Sequence, residues 1–246
     1  MRVAALFDIH GNVPALERVL ADVRDARADA VVVGGDVLPG PMPRDALQRL
    51  RALDIPVHYV YGNGEVAVLD HIAGRTLTKV PQPYWPTIEF VAEQVRDFVS
   101  DLARWPLTLH LDIEGLGRVL FCHATPRNED EIFTRETAED RLLPVFAGVD
   151  AAVVVCGHTH MQFDRMVGPT RVVNAGSVGM PFGTTGADWL LLGHDVQLRH
   201  IDYDLDGAAE RIRRTAYPWP GDFAAEYILK APTEVQILEA FARVSI

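Results

Sequence analysis

The sequence predicts an α/β fold built on a parallel sheet, and three observations carry that prediction. Short apolar runs at residues 3–7, 30–33 and 57–61 alternate with stretches of helical spacing. Strands separated by helices imply right-handed βαβ crossovers. Polar residues recur at the ends of these runs, and the intervals Asp8 to Asp36 and Asp36 to Asn63 are 28 and 27 residues, one strand–helix unit each.

The elements follow in order. Asn12 is placed to cap a helix whose face is Val13, Leu16, Val19, Leu20 and Val23. Pro43 opens a second helix with Ala46, Leu47, Leu50 and Leu53 on one side, stopped before Pro56. Residues 66–86 read as a loop, with Pro81, Pro83 and Pro86 bracketing Tyr84 and Trp85. A helix with Ile88, Val91, Val95, Phe98, Val99 and Leu102 on one face comes next. Residues 107–113 and 118–121, joined by Glu114-Gly115-Leu116-Gly117, read as a hairpin. Residues 137–146 are expected to be helical and 151–155 a buried strand, after which strands dominate at 162–166, 170–173, 189–192 and 197–201. A helix near 207–215 and two segments broken at Pro218, Pro220 and Pro232 complete the chain. No linker divides it, so residues 1–246 are expected to form a single domain with C-terminal helical segments, about 204–246, packed on it.

Composition narrows the function. Hydrophobic residues are 48% and charged residues 23% of 246, which excludes a mostly disordered chain. The net charge of −11 argues against a stable nucleic-acid partner or a membrane surface, both of which need clustered basic residues. Cys122 and Cys156 stand alone without a C-x-x-C pattern, so no disulfide framework is expected and a reducing, cytoplasmic location fits. The first apolar run ends at Asp8, too short for the ~7–15 residues of a secretory signal core, and no run reaches the ~18 residues of a membrane span.

The chemistry gathers at strand ends. Asp8-Ile9-His10 follows the first strand, Asp36 the second and Asn63 the third; His123 and Gly157-His158-Thr159-His160 follow later ones. Side chains after parallel strands share the carboxyl edge, where open α/β sheets bind ligands. Taken singly, each motif has a plainer reading as a turn or a satisfied polar residue. Together they supply two Asp, one Asn and four His, a mixture suited to borderline transition metals rather than calcium. Seven donors exceed one tetrahedral ion but suit two ions sharing a carboxylate.

This ordered set resembles the calcineurin-like metallophosphoesterase superfamily. Asn174-Ala175-Gly176-Ser177-Val178-Gly179 is similar to the N-P-G-S-V-G segment of its small bacterial phosphodiesterase members, with Ala175 where proline is usual. The resemblance implies a four-layer αββα sandwich of two mixed β-sheets and a phosphoric ester hydrolase. It implies that Asp8, His10, Asp36 and His160 hold one divalent ion and that Asp36, Asn63, His123 and His158 hold the other. Asp36 would bridge and position a nucleophilic hydroxide. Manganese is the first expectation for both ions, with iron, nickel, zinc and magnesium as alternatives.

One departure stands out: Gly64 occupies the position after Asn63 where much of the family has a phosphate-contacting histidine. Its loss removes general-acid help worth typically 10²–10⁴-fold, which favours a phosphodiesterase of small organic phosphates or nucleotides. A phosphomonoesterase, protein Ser/Thr phosphatase or nucleotidase is the alternative, and a non-catalytic scaffold a further one. Restoring histidine at 64 is expected to raise monoesterase turnover. Glu65 is expected to be a solvated helix-start carboxylate. Asn12 and Gly64 are the candidate substrate contacts; Arg127, Arg135, Tyr84 and Trp85 are weaker ones. The C-terminal stripe Val235, Leu238 and Phe241 is expected to pack on the chain's own sheet, with a homo-oligomer contact as the second reading.

Overall fold

The computed structural model describes residues 1–246. One five-stranded sheet contains β1 (Val3–Leu6), β2 (Ala30–Val33), β3 (Val57–Tyr59), β9 (Ala187–Leu192) and β10 (Val196–Ile201), in the order β10-β9-β1-β2-β3. β1, β2 and β3 run parallel, while β9 and β10 extend the sheet antiparallel. The other sheet contains β4 (Thr108–Ile113), β5 (Gly117–Cys122), β6 (Val153–Cys156), β7 (Phe163–Val167) and β8 (Thr170–Asn174), in the order β4-β5-β6-β8-β7. Its centre β5-β6-β8 is parallel and its edges are antiparallel.

The alternation of side chains along each strand sorts the apolar residues into three layers of core. Val3 and Ala5 of β1, with Val32, Leu190 and Leu192, face Val119, Phe121, Val153, Val155 and Val173 of the other sheet. The opposite face of the first sheet, with Ala4, Leu6, Val31, Val33 and Trp189, is covered by α1 (Val13–Asp25), α2 (Pro43–Arg51), α3 (Asn63–Ile72), α4 (Trp85–Gln94) and α5 (Val99–Leu102). The outer face of the second sheet packs Leu120, Val154 and Val172 against Leu142, Val145 and Phe146 of α6 (Glu139–Phe146). Helices, sheet, sheet and helix make the four-layer arrangement, and two mixed sheets make the fold class.

Several elements differ from expectation. Residues 66–86 are not a continuous loop: α3 runs through Ile72, because Glu65, Ala67 and Val68 turn inward. The apolar stripe from Ile88 to Leu102 is broken at Val95 into α4, a 3₁₀ turn at Arg96–Phe98 and α5. α7 (Leu205–Arg213) starts earlier than expected, because the Asp204 carboxylate accepts the Gly207 N–H. α8 (Pro220–Phe223) runs into a π-helical turn at Ala224–Leu229, and Phe223, Ala224 and Ile228 join the core of the first sheet.

The final helix, α9 (Glu234–Phe241), corrects a prediction. It has no buried residue, and Val235 is exposed. The Arg135–Glu234 ion pair and the Ile246 N–H donated to the Ile132 carbonyl tie this end down instead. No helix is long and apolar enough to cross a membrane.

Candidate metal centre

The loops after β1 and β2 continue side by side beyond the strands. Asp8 N–H donates to Gly35 O, His10 N–H to Asp36 O and Gly11 N–H to Val37 O. In the second sheet Gly157 N–H donates to His123 O, coupling the loops after β5 and β6. Asp8, His10, Asp36, Asn63, His123, His158 and His160 are thereby brought to one end of the sandwich.

The backbone at these positions is strained. Seven non-glycine residues have positive φ, and five of them are Asp8, His10, Asp36, His158 and His160. Each left-handed non-glycine residue costs on the order of 1 kcal/mol, and such strain concentrates at functional sites. Neighbouring glycines allow the approach: a Cβ on Gly35 would come within 2.8 Å of His123 Nδ1 and 2.6 Å of Gly62 N. A Cβ on Gly157 would collide with Asp8 Oδ2.

The donor atoms converge tightly. His160 Nε2 is 3.2 Å from Asp8 Oδ1 and 3.2 Å from His10 Nε2. Asp36 turns Oδ2 toward His10 Nε2 at 3.7 Å and Oδ1 toward His123 Nε2 at 3.6 Å. His123 Nε2 is 3.1 Å from Asn63 Oδ1 and 3.9 Å from Asp8 Oδ1. The atoms form two overlapping sets, Asp8–His10–His160 and Asp8–Asp36–His123, all buried. Asp8 belongs to both sets, and His158 lies beside His123 with ring centroids 5.1 Å apart.

Three histidines are oriented from behind. Nδ1–H of His10 donates to Pro39 O at 3.1 Å, that of His123 to Gly34 O at 2.9 Å and that of His160 to Met180 O at 2.8 Å. A proton held at Nδ1 leaves the Nε2 lone pair aimed into the cluster, the tautomer a metal ligand requires. Two buried atoms of this cluster, Asp8 Oδ1 and His158 Nε2, have no hydrogen-bond partner, a state shared elsewhere by Trp189 Nε1.

Burial and crowding set the charges. Burial, with His160 second, pushes the His10 pKa down to about 3. Burial, with His123 second, pushes that of His158 down to about 3. Burial disfavours ionisation of Asp8, yet the charges of His160 and His123 outweigh it and hold the carboxyl well below the usual range. Burial raises the Asp36 pKa, and the nearby Glu65 and Asp8 carboxylates raise it further. Burial likewise raises the Glu65 pKa against the backbone N–H groups that lower it.

The profile of the calcineurin-like phosphoesterase superfamily domain matches residues 1–195 of the sequence, a stretch that contains every one of these donors. The chain belongs to that superfamily. An uncharacterized protein from Methanocaldococcus jannaschii is 24% identical over 249 residues, covering 89% of this chain and 96% of its own. A hypothetical protein from Pyrococcus horikoshii OT3 shares the fold with a TM-score of 0.78 at 19% identity, over 94% of this chain and 99% of that one. A metallophosphoesterase from Sphaerobacter thermophilus does so with a TM-score of 0.72 at 21% identity, over 92% and 98%.

Where this calcineurin-like chain departs from the family pattern, the packing explains the departure. Gly64 N–H donates to Asp36 Oδ1 at 2.7 Å. A Cβ on Gly64 would fall inside the Leu38 carbonyl oxygen and within 2.9 Å of Asp36 Oδ1, so no side chain fits there. A histidine at 64 would have to displace the Leu38 carbonyl, which argues against its restoring monoesterase turnover. Ala175 N–H donates to Cys156 O at 2.8 Å, a bond that proline would forfeit. The rest of that segment clamps the site: Ser177 Oγ–H donates to Asp8 O and Asn174 Nδ2–H to Gly157 O.

Three further readings are corrected. Glu65 is fully buried rather than solvated, and accepts N–H groups from Asp36 at 2.8 Å, Gly62 at 2.8 Å and Leu38 at 3.0 Å. Asn12 is not a substrate contact: its Oδ1 accepts Ala15 N–H, its Nδ2 donates to Gly179 O and Tyr203 Oη, and it is fully buried. Arg127 is paired with Glu131 and Arg135 with Glu234. Sequence reasoning missed Lys79, Tyr217, Phe223 and Tyr227, which line the cavity over the donors together with Tyr84. No short motif marks them, and three come from the C-terminal segment after α7.

Proposed function

We propose that the protein is a dinuclear, metal-dependent phosphodiesterase that hydrolyses small organic phosphates or nucleotides. The observation carrying this reading is the convergence of Asp8, His10, Asp36, His123 and His160, with Asn63 and His158 beside His123, while Asp8 Oδ1 and His158 Nε2 stay buried without a partner. Leaving such atoms unpaired costs about 1–3 kcal/mol each, a penalty that a bound cation removes. The donor chemistry of imidazole, carboxylate and amide suits manganese, iron, nickel or zinc, with manganese the first choice.

Asp8, His10, Asp36 and His160 are assigned to one ion, and Asp36, Asn63, His123 and His158 to the other. The two Asp36 oxygens turn toward opposite histidines, which supports a bridging role. When bound, such a cation pair supplies an activated water near neutral pH and neutralises charge on phosphate oxygens. The chain's own contribution is order. Low pKa values keep His10 and His158 neutral and ready to ligate, and the carbonyls of Pro39, Gly34 and Met180 hold His10, His123 and His160 in the ligating tautomer.

The preference for diesters rests on Gly64. With no imidazole after Asn63, protonation of a poor leaving group lacks that donor, which penalises alkyl monoesters most. The test is parallel hydrolysis of bis(p-nitrophenyl) phosphate and p-nitrophenyl phosphate after chelator stripping and reloading with Mn²⁺. Faster diester turnover that disappears with the metal supports the reading. A monoester preference would favour the phosphatase alternative, and no turnover with any divalent metal would favour a scaffold.

A further inference from the structure

We propose that the cavity over the donor cluster holds a nucleobase subsite walled by Tyr84, Tyr217, Phe223 and Tyr227, so that the phosphoester it takes is that of a nucleotide. The proposal rests on the phosphodiesterase reading and names its substrate class.

The cavity is about 350 Å³, with His10, Asp36, Asn63, His158 and His160 on one wall and the aromatic residues on another. That is the low end of the ~300–1,000 Å³ of small-molecule sites and suits a single nucleotide. A phosphate seated at the donors would direct its organic group toward the rings. Those rings brace one another: Tyr217 and Phe223 meet edge to face, 5.8 Å apart at 84°, and Phe223 and Tyr227 are tilted, 5.5 Å apart at 55°. Phe90 supports Tyr217 from behind at 5.7 Å.

Tyr84 completes the wall from the other side. It sits on the turn at Gln82–Tyr84 between prolines, and its carbonyl accepts Thr87 Oγ1–H at 2.6 Å. The residue is nevertheless 57% exposed, as one offering a stacking face to a ligand would be. Rigid, pre-placed aromatic faces lose little entropy on stacking against a base.

Charge selects the kind of nucleotide. Lys79 lines the same cavity but is paired with Glu129 at 3.3 Å and Asp130 at 2.9 Å, so the cavity carries no unpaired lysine for a further phosphate. A neighbouring cavity of about 310 Å³ shares Tyr84, Tyr217, Phe223 and Tyr227 and leads past Trp219 to Asp222 and Glu226. Those carboxylates repel a second phosphate and disfavour a lipid tail, while the tyrosine hydroxyls suit a polar heterocycle. A nucleoside with a single phosphodiester matches both ends. Tyr217, Phe223 and Tyr227 lie beyond residue 195, where the family match ends, so this part of the wall is supplied by the chain's own C-terminal segment.

The experiment uses the full-length protein loaded with Mn²⁺ and compares thymidine 5′-(p-nitrophenyl) phosphate with methyl p-nitrophenyl phosphate, which share a leaving group. In parallel, tryptophan fluorescence follows binding of adenosine 5′-monophosphate against ribose 5-phosphate. Base–aromatic stacking predicts a preference of about 5- to 150-fold for the base-bearing member of each pair, expressed mainly in KM and Kd. The double variant Tyr84→Ala/Tyr227→Ala should bring both ratios toward 1, and Tyr84→Phe/Tyr227→Phe should keep them, with thermal unfolding confirming that each variant folds.

Equal kcat/KM for the two diesters with equal binding of the two monophosphates would overturn the subsite while leaving the hydrolase intact. A base preference that survives in the double alanine variant would also overturn it. If neither diester is hydrolysed but the base-bearing monophosphate binds more tightly, the subsite stands and the hydrolase reading fails.

Discussion

Glu65 Oε2 lies 2.8 Å from the backbone nitrogen of Asp36, so a fully buried carboxylate fixes the loop that presents the central donor of the cluster. The same oxygen accepts from Gly62, and Oε1 accepts from Leu38. Hydrogen bonds to a charged group contribute about 1.5–3 kcal/mol each. Glu65→Gln is expected to lose one or two of the three, lowering unfolding free energy by about 2–4 kcal/mol. Bound metal should fall with it, because Asp36 loses its anchor. Urea denaturation and metal analysis on the same preparation measure both, and a fully stable variant with wild-type metal content would contradict this role.

Gly64 is expected to tolerate no substitution. Gly64→Ala places a methyl inside the Leu38 carbonyl and against Asp36 Oδ1, and overpacking of this kind costs about 1–3 kcal/mol. Gly64→His should do worse, losing diester turnover and gaining no monoester turnover. Steady-state kinetics on both substrates decides it.

Asn12 is expected to act on stability alone. Asn12→Ala removes a helix N-cap, a change that costs about 0.5–2 kcal/mol, and leaves the Gly179 carbonyl without its donor. Thermal unfolding should show the loss while KM stays within about twofold, because the side chain faces the fold.

Asp188 supplies a pH dependence outside the donor set, although the His160 charge also acts on its carboxyl. Burial raises its carboxyl pKa from 3.8 to about 6, although His200 at 2.8 Å opposes the rise. A raised folded-state pKa means that the stabilising contribution is complete below about 3.8 and is lost as pH rises through about 6. Asp188→Asn stays neutral throughout. Relative to the wild type, it should therefore gain stability between about pH 4 and pH 7, by up to about 3 kcal/mol. Denaturant midpoints across that range would show parallel curves if the idea is wrong.

The fold and the gathering of the candidate donors at one end of it were legible in the sequence for one physical reason. A buried parallel strand must be apolar on both faces, and the residue after it is the first one free to be polar. Runs such as 30–33 followed by Gly35-Asp36 therefore announce both the sheet and the site. Glu65 was misread because its partners are backbone N–H groups contributed by residues 36, 38 and 62, which no local pattern encodes. Residues 66–72 read as a loop in the sequence because helix α3 buries one short face rather than a full stripe. The aromatic wall was half visible, in Tyr84; its other half arrives from residues 217–227, more than a hundred residues downstream.

The central claim is that seven side chains hold a pair of ions and that Asp36 joins them. The most direct measurement is metal stoichiometry by mass spectrometry of the folded protein after equilibration with Mn²⁺ and removal of excess. Two ions per chain are expected in the wild type and fewer in Asp36→Asn. A wild-type chain that retains none, or an Asp36→Asn chain that retains both, would contradict it.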